Sequence, residues 1–286
     1  MTSIDHTHPI LVLGGTGTVG GRVVRQLREQ GVPVRPASRH TDPRFDYDDP
    51  GTWDAVLDGV RRAYLLLPDD VGLPAGFVER LAAAGVERVV LHSDRGVEVM
   101  GVTRLQEAET AVRRFPEWTI VRADWFDQNF ETFFRDAIIE GRLRVPVGEA
   151  RQGFVDAEDI AGVGVRALLG DDLVGRVLEV TGPEALSFRE ATSIIGEVLG
   201  REIEFDGTAA AYREQMTGLG LPGEVVDGLI AGFAALEARG DTGPTGVVET
   251  VLGRPARSLR SYAEQAAERG AWGFQRPRVL SAHGRM

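Results

Sequence analysis

The sequence predicts an α/β protein whose core is a doubly wound parallel sheet, with a small and mostly helical lobe towards the carboxyl end. Short apolar runs alternate with amphipathic stretches up to about Arg122, which is the pattern of repeated strand–helix–strand units. The alternation loosens beyond that residue, and 286 residues suffice for one large domain with an appended lobe. Right-handed crossovers between parallel strands then give the doubly wound arrangement.

Apolar runs predict the strands of the first half, and helices fill the gaps. Gly31 and Gly85 stand where the ends of two helices need a left-handed residue. A short strand is also expected just before Asp46. Strands are predicted at 10–13, 32–37, 63–67, 88–91 and 118–121, and helices at 18–30, 52–57, 76–84 and 105–114.

The second half is predicted to be richer in helices. Ser187 and Glu190 form a capping box at the start of one of them. The predicted helix 224–239 lies between segments rich in glycine and proline, at 218–223 and 240–246, and is either a mobile lid over a substrate or an ordinary packed helix. The other elements are expected to be helices at 127–140 and 158–169, and strands at 177–180 and 202–205.

The composition excludes several kinds of chemistry. The chain has no cysteine and its 32 basic residues are all arginine, so it offers neither a thiolate nor a lysine ammonium. A net charge of −11 without a basic patch argues against nucleic acid as a partner. Without a signal segment or a membrane-length apolar run, we expect a cytoplasmic protein with no membrane partner. His6 and His8 lie in a polar arm, and no metal site is expected.

A glycine-rich turn directly after the first predicted strand is the strongest chemical signal. Gly14, Gly17 and Gly20 follow the buried run 10–13 and open the first helix. In a dinucleotide-binding turn the first glycine permits the tight turn, the second lets the backbone approach a pyrophosphate, and the third lets helix and strand pack closely. Because a second strand follows at the right distance, the spacing favours a nucleotide site over a purely structural turn.

The end of the second predicted strand indicates which nucleotide binds. No acidic residue stands there for the ribose 2′-hydroxyl of NAD(H), whereas Ser38 and Arg39 offer a hydroxyl and a guanidinium to the 2′-phosphate of NADP(H). We therefore expect NADP(H) rather than NAD(H); the alternative is that Arg39 is a solvated loop residue. Asp46 is a candidate acceptor for the adenine amino group, unless it only belongs to an acidic loop with Asp42, Asp48 and Asp49. The predicted cofactor contacts are Gly14, Gly15, Thr16, Gly17, Thr18, Val19, Gly20, Ser38, Arg39, Asp46, Tyr47, Leu67 and Pro68.

Several segments together resemble the NmrA-like, atypical short-chain dehydrogenase/reductases over almost the whole chain. The resemblance implies an extended Rossmann domain, a small carboxyl-terminal substrate lobe, and NADP(H) lying across the carboxyl edge of the sheet. We accordingly expect an NAD(P)-binding core at 1–150 and a substrate lobe at 151–286, interleaved with returning Rossmann elements and joined by no clean linker. The segments are GGTGTVG (14–20), Arg39, DYDDP (46–50), AGVERVV (84–90), WTIVR (118–122), DWFDQNF (124–130), FVDAEDI (154–160) and LGRPARS (252–258).

One departure from conventional short-chain reductases bears on the chemistry. Those enzymes use a serine together with a Tyr-x-x-x-Lys relay that protonates the new alkoxide. Ser93 matches the serine, but no tyrosine lies between Ser93 and Trp118 and no lysine is present. The resemblance therefore implies hydride transfer from NADPH to an activated, conjugated small molecule such as a quinone, an enone or an iminium. The alternatives are a non-catalytic NADP(H) sensor that acts through a protein partner, and a non-redox enzyme with a structural nucleotide.

The remaining site candidates follow the predicted strands 88–91 and 118–121. His92 and Ser93 are the predicted catalytic residues, His92 as a proton donor near neutral pH; the alternative is that they only pack and cap. Trp125, Phe126 and Asn129 are the predicted substrate contacts. Two features nearby concern the local structure: helical spacing favours core packing for Phe130, Phe133 and Phe134, and Asp124 stands where the family often has proline.

Overall fold

A parallel sheet of six strands forms the centre of the computed structural model, which describes residues 7–69 and 71–273. The strands in this part of the chain are β1 (Ile10–Leu13), β2 (Val34–Ala37), β3 (Arg62–Leu65), β4 (Arg88–Asp94), β5 (Glu117–Ala123), β6 (Arg142–Arg144), β7 (Arg176–Val180) and β8 (Glu204–Asp206). The order in the main sheet is β2-β1-β3-β4-β5-β7, while β6 and β8 pair in a second, smaller sheet. The predicted doubly wound parallel fold is confirmed.

Helices cover both faces of the main sheet. The helices of the described residues are α1 (Thr18–Glu29), α2 (Trp53–Leu57), α3 (Phe77–Ala83), α4 (Thr103–Val112), α5 (Arg135–Glu140), α6 (Ala157–Leu169), α7 (Phe188–Leu199), α8 (Ala209–Gly218), α9 (Gly223–Arg239), α10 (Val247–Leu252) and α11 (Leu259–Glu268). One face is packed by α2, α3 and α4 and the other by α1 and α6, so the strands between them are buried on both sides.

A third apolar core lies under the lobe. Phe188 of α7 is fully buried at its centre, among aromatic rings from the segment after β5. The predicted capping box of α7 is confirmed, because the Ser187 side chain accepts a hydrogen bond from the Glu190 backbone and Glu190 reciprocates. In the described residues, no helix combines the length and the apolar character that a membrane span needs.

The predicted helix over 127–140 is wrong as a single element. It divides into a 3-10 helix at Asp127–Glu131 and α5 at Arg135–Glu140. Thr132 leaves the helical region (φ −122°, ψ −89°) at the break. The break lets Phe130 and Phe134 enter the lobe core, whereas Phe133 is 74% exposed and contradicts the expectation that it packs there.

Other differences concern short or weakly periodic elements. The short strand expected directly before Asp46 does not form, because the backbone N–H and carbonyl of Asp46 bond to the Thr52 hydroxyl and the Trp53 indole instead of to a neighbouring strand. The strand β6, which pairs with β8, is not predicted from the sequence because three residues give no readable periodicity. The helices α8, α10 and α11 are also additional to the predicted set.

Candidate active site at the carboxyl edge of the sheet

The turn between β1 and α1 has the geometry that the glycine spacing predicts. Gly14 adopts a left-handed backbone (φ +71°), and its carbonyl oxygen accepts a hydrogen bond from the Gly17 N–H at 2.9 Å. A Cβ atom on Gly20 would lie 2.2 Å from that oxygen, and one on Gly15 would lie 2.8 Å from the Pro36 Cβ. The turn is therefore too closely packed for any other residue at 15 or 20, and α1 starts directly against it.

The amino end of α1 is open to a ligand. Gly17 occupies the cap position, where no side chain accepts a hydrogen bond from the first turn, and that turn contains no acidic residue. Thr16, Gly17 and Thr18 are exposed, while Val19 and Gly20 are buried beneath them. The free N–H groups and the positive end of the helix suit an anion such as a pyrophosphate.

Among the predicted cofactor contacts after β2, one side chain is exposed, whereas two others already bond to groups within the protein. Arg39 is exposed, and no ion pair to it is found within residues 7–69 and 71–273. The Ser38 hydroxyl accepts a hydrogen bond from the His40 N–H at 3.2 Å. The Asp46 carboxylate pairs with Arg44 at 2.8 Å, so the candidate adenine acceptor already has a cationic partner.

Tyr47 lies behind this edge rather than on it. Its hydroxyl donates to the Leu66 carbonyl at 3.3 Å and its ring packs edge-on against Phe45, with centroids 4.8 Å apart. Burial raises the pKa of the Tyr47 phenol well above its usual range. Leu67 is buried and Pro68 is partly exposed at the end of β3, where Leu66 packs against Gly14.

His92 and Ser93 point in opposite directions at the end of β4, as alternation along a strand requires. The His92 Nδ1 lies 3.0 Å from the Tyr64 hydroxyl, and the imidazole packs edge-on against Phe126 at 5.6 Å. Burial lowers the pKa of His92 to about 4, so the ring is neutral at pH 7. This pKa does not favour the expected donor role near neutral pH, because the imidazolium form is then scarce.

The Ser93 hydroxyl is held on the α4 side of the sheet. It donates to Glu109 Oε1 at 2.7 Å, and Glu109 also accepts hydrogen bonds from Arg122 and Arg113. Glu109 is 2% exposed, and these hydrogen bonds keep its pKa below the usual value against the opposing effect of burial. This geometry does not favour the predicted catalytic role of Ser93.

Asp94, which the sequence analysis does not single out, also lies at this edge of the sheet. It is the last residue of β4 and its side chain reaches solvent at the carboxyl edge. Its Oδ1 accepts a hydrogen bond from the Gly96 N–H at 2.5 Å. Its place in the sequence could have indicated it. Successive side chains of a strand point to opposite faces, so the polar residue after Ser93 lies on the face opposite to Ser93.

An ion pair explains the aspartate at position 124, where the family often has proline. Arg95 Nη1 lies 2.8 Å from Asp124 Oδ2, and both side chains are less than 10% exposed. Asp124 Oδ1 accepts a hydrogen bond from the Trp125 N–H at 2.8 Å. The pair thus connects the ends of β4 and β5 and fixes the start of the segment that holds the predicted substrate contacts.

The predicted substrate contacts form part of an aromatic wall. Trp125 is stacked with Phe233 of α9 at 6.2 Å and 15°, and Phe126 covers His92. Asn129 is half-buried, and in the described part of the chain no hydrogen bond to its side-chain amide is found. Within that same part, no three His, Asp or Glu side chains are grouped so as to hold a metal ion.

Curated relatives match nearly the whole chain, although no protein-family model matches it. The chain is 35% identical over 280 residues to the uncharacterised oxidoreductase YesF of Bacillus subtilis, an alignment covering 93% of this chain and 96% of that protein. It is 31% identical over 283 residues to the NAD(P)H azoreductase of Xenophilus azovorans, covering 90% and 98%.

Solved structures agree in fold. The NADPH-dependent quinone oxidoreductase QOR2 of Escherichia coli, in complex with NADPH, gives a TM-score of 0.77 at 19% identity and covers 90% of this chain and 99% of that one. A mutant NmrA gives a TM-score of 0.66 at 16% identity, covering 90% and 95%. The relatives above 30% identity, taken with this fold, confirm the expected family: the chain belongs to the NmrA-like, atypical short-chain dehydrogenase/reductases, a group of Rossmann-fold oxidoreductases.

Proposed function

We propose that this protein is an NADPH-dependent reductase of activated, conjugated small molecules such as quinones and azo compounds. The observation that carries the proposal is the open amino end of α1 against the Gly14–Gly20 turn, with the exposed Arg39 one strand away. When bound, NADPH supplies the hydride. The protein's own groups bind it, orient it and limit what it reduces.

The cofactor contacts follow from the shape of the carboxyl edge. Backbone N–H groups at the start of α1 hold the pyrophosphate, and the strand order places the switch point between β1 and β3, where a dinucleotide crosses the sheet. Arg39 binds the 2′-phosphate with Ser38 beside it. The proposed contacts around the phosphates are Gly14, Gly15, Thr16, Gly17, Thr18, Val19 and Gly20, and Leu67 and Pro68 border the path towards β4.

We infer the class of acceptor from the proton donors that the site lacks. The chain has no lysine, and the hydroxyls of Tyr47 and Tyr64 are buried against Leu66 and His92. A simple ketone needs a strong proton donor as the hydride arrives, a contribution of about 10² to 10⁴ in rate. A conjugated acceptor delocalises the developing charge and needs less help. The similarity to an azoreductase supports this class of acceptor.

The aromatic wall suits a flat substrate. Trp125 and Phe126 are only partly buried beside the end of β4, with the buried Phe233 stacked against Trp125, and such ring surfaces bind conjugated rings by stacking or edge contacts. Asn129 offers its side-chain amide at the same place. We propose that these residues position the acceptor over the end of β4.

Loss of nicotinamide absorbance measures the function directly. The purified protein is mixed with NADPH and a panel of quinones, azo dyes and saturated ketones. We expect turnover of at least one quinone or azo compound and less than about a hundredth of that rate for the ketones. Tight NADPH binding without turnover of any acceptor would contradict the proposal.

A further inference from the structure

We propose that the carboxyl group of Asp94 donates the proton that a neutral acceptor takes up together with hydride. The proposal rests on the proposed reductase function and deepens it. It assigns the donor to a residue other than His92 and Ser93.

The placement of Asp94 is the first argument. The parallel register pairs Asp94 with Ala123, so the ends of β4 and β5 lie side by side at the carboxyl edge. β4 lies two strands from β1, about 10 Å at the spacing of a sheet. A dinucleotide held at the amino end of α1 lies along this same edge of the sheet.

The orientation of Asp94 is the second argument. The Gly96 N–H holds Oδ1 at 2.5 Å, and no hydrogen bond to Oδ2 is found among the described residues. Gly96 is itself packed by Leu236 of α9 and by Met100, each 3.4 Å from where a Cβ would stand. The carboxyl group is thus fixed by one oxygen beneath α9, with the other available to a substrate.

The charges around Asp94 make it a suitable acid. The protein packed around the carboxyl group removes part of its hydration and raises its pKa to about 6, which outweighs the hydrogen bond from Gly96. The charged groups that face it are Asp124 at the end of β5, which raises the pKa further, and Arg104 of α4 and Arg239 of α9, which lower it. At pH 7 about a tenth of the molecules then carry the proton, and the solvent-facing side of the residue lets water restore it.

The reaction balances with this donor. A quinone gains hydride at one atom of its conjugated system, and the electron pair moves onto an oxygen. That oxygen takes the proton from Asp94, which becomes a carboxylate and is reprotonated from water. An azo compound follows the same scheme with nitrogen in place of oxygen.

The test uses menadione, a neutral naphthoquinone, with the wild-type protein, Asp94→Asn and Asp172→Asn. The amide oxygen that Asp94→Asn introduces can still accept a hydrogen bond from the Gly96 N–H. Asp172 is the control, because it is an exposed acid that forms an ion pair with Arg166 and precedes β7, at the opposite edge of the sheet. We expect wild-type kcat to fall about tenfold per pH unit above about pH 6, because the acid loses its proton there. Asp94→Asn should lower kcat at pH 6 by about 10²-fold and remove the pH dependence, and Asp172→Asn should change neither.

A second readout does not depend on turnover. Carbon-13 NMR of labelled aspartate carboxyls should show one resonance that titrates near pH 6 in the wild-type protein and is missing from Asp94→Asn. The Kd for NADPH, from nucleotide fluorescence, should be the same in both. An Asp94→Asn variant that binds NADPH and keeps more than half of wild-type kcat at pH 6 overturns the proposal, as does a variant that loses NADPH binding. A wild-type protein that oxidises no NADPH overturns the reductase function and this proposal together.

Discussion

Adding one methyl group to α1 tests the glycine turn. In Gly20→Ala the new Cβ would stand 2.2 Å from the Gly14 oxygen and 2.7 Å from the Gly14 carbonyl carbon, both backbone atoms that cannot rotate away. The helix must therefore move off the turn. Overpacking of this kind costs about 3 kcal/mol at its upper end, and the better helix propensity of alanine returns about 1 kcal/mol. We expect a net loss of about 2 kcal/mol in the free energy of unfolding.

Gly21→Ala is the matched control, because it makes the same change one residue further along α1. Its Cβ would meet nothing closer than 3.7 Å, so it should keep or raise stability through helix propensity alone. Thermal unfolding should show a drop of at least about 4 °C for Gly20→Ala only. The Kd for NADPH should rise more than about tenfold for the same variant, since displaced N–H groups no longer converge on the pyrophosphate. Equal behaviour of the two variants would refute the assignment of the turn as the phosphate site.

Three further outcomes are expected. Arg39→Ala should weaken NADPH binding by about 1.5 to 3 kcal/mol, or roughly 10- to 150-fold in Kd, and leave NADH binding unchanged; equal losses would contradict the 2′-phosphate role. Tyr47→Phe or Tyr64→Phe should keep turnover of a quinone within about tenfold, and a collapse of about three orders of magnitude would identify a relocated tyrosine acid. Amide exchange at 223–229 should slow when NADPH and an inhibitor bind, whereas unchanged exchange would mean that α9 is fixed scaffold.

The pattern of burial along α9 indicates which part of the helix should change its amide exchange. α9 buries Phe233 and Leu236 in its second half, and Arg239 donates to the Arg95 carbonyl at 3.3 Å. Its first half buries Val226 but exposes Val225 and Leu229. Movement, if the lid hypothesis holds, is therefore expected at the start of the helix and not over the whole segment 218–246 that the glycine and proline pattern indicates.

Predictions from the sequence succeed where a pattern is long or sterically strict. Buried strands covered on both faces have apolar sequences, and glycines at 14, 17 and 20 directly after such a strand are typical of a nucleotide-binding turn. Elements that depend on distant partners are missed. The helix breaks at Thr132 because Phe130 and Phe134 both pack into the lobe core. The local periodicity of the sequence carries no information about that core.

The end of β4 shows why site residues are harder to predict than the strand that carries them. Ser93 is predicted from its match to a family position, but a strand places neighbouring side chains on opposite faces, and Glu109 of α4 holds its hydroxyl. His92 faces the other way, where burial under Phe126 keeps the imidazole neutral. Asp94, at the last position of the strand, combines access to solvent with a raised carboxyl pKa of about 6. A reductase that lacks the Tyr/Lys relay thus retains an acid at this edge, and that acid serves conjugated acceptors only when the pH is near or below its pKa.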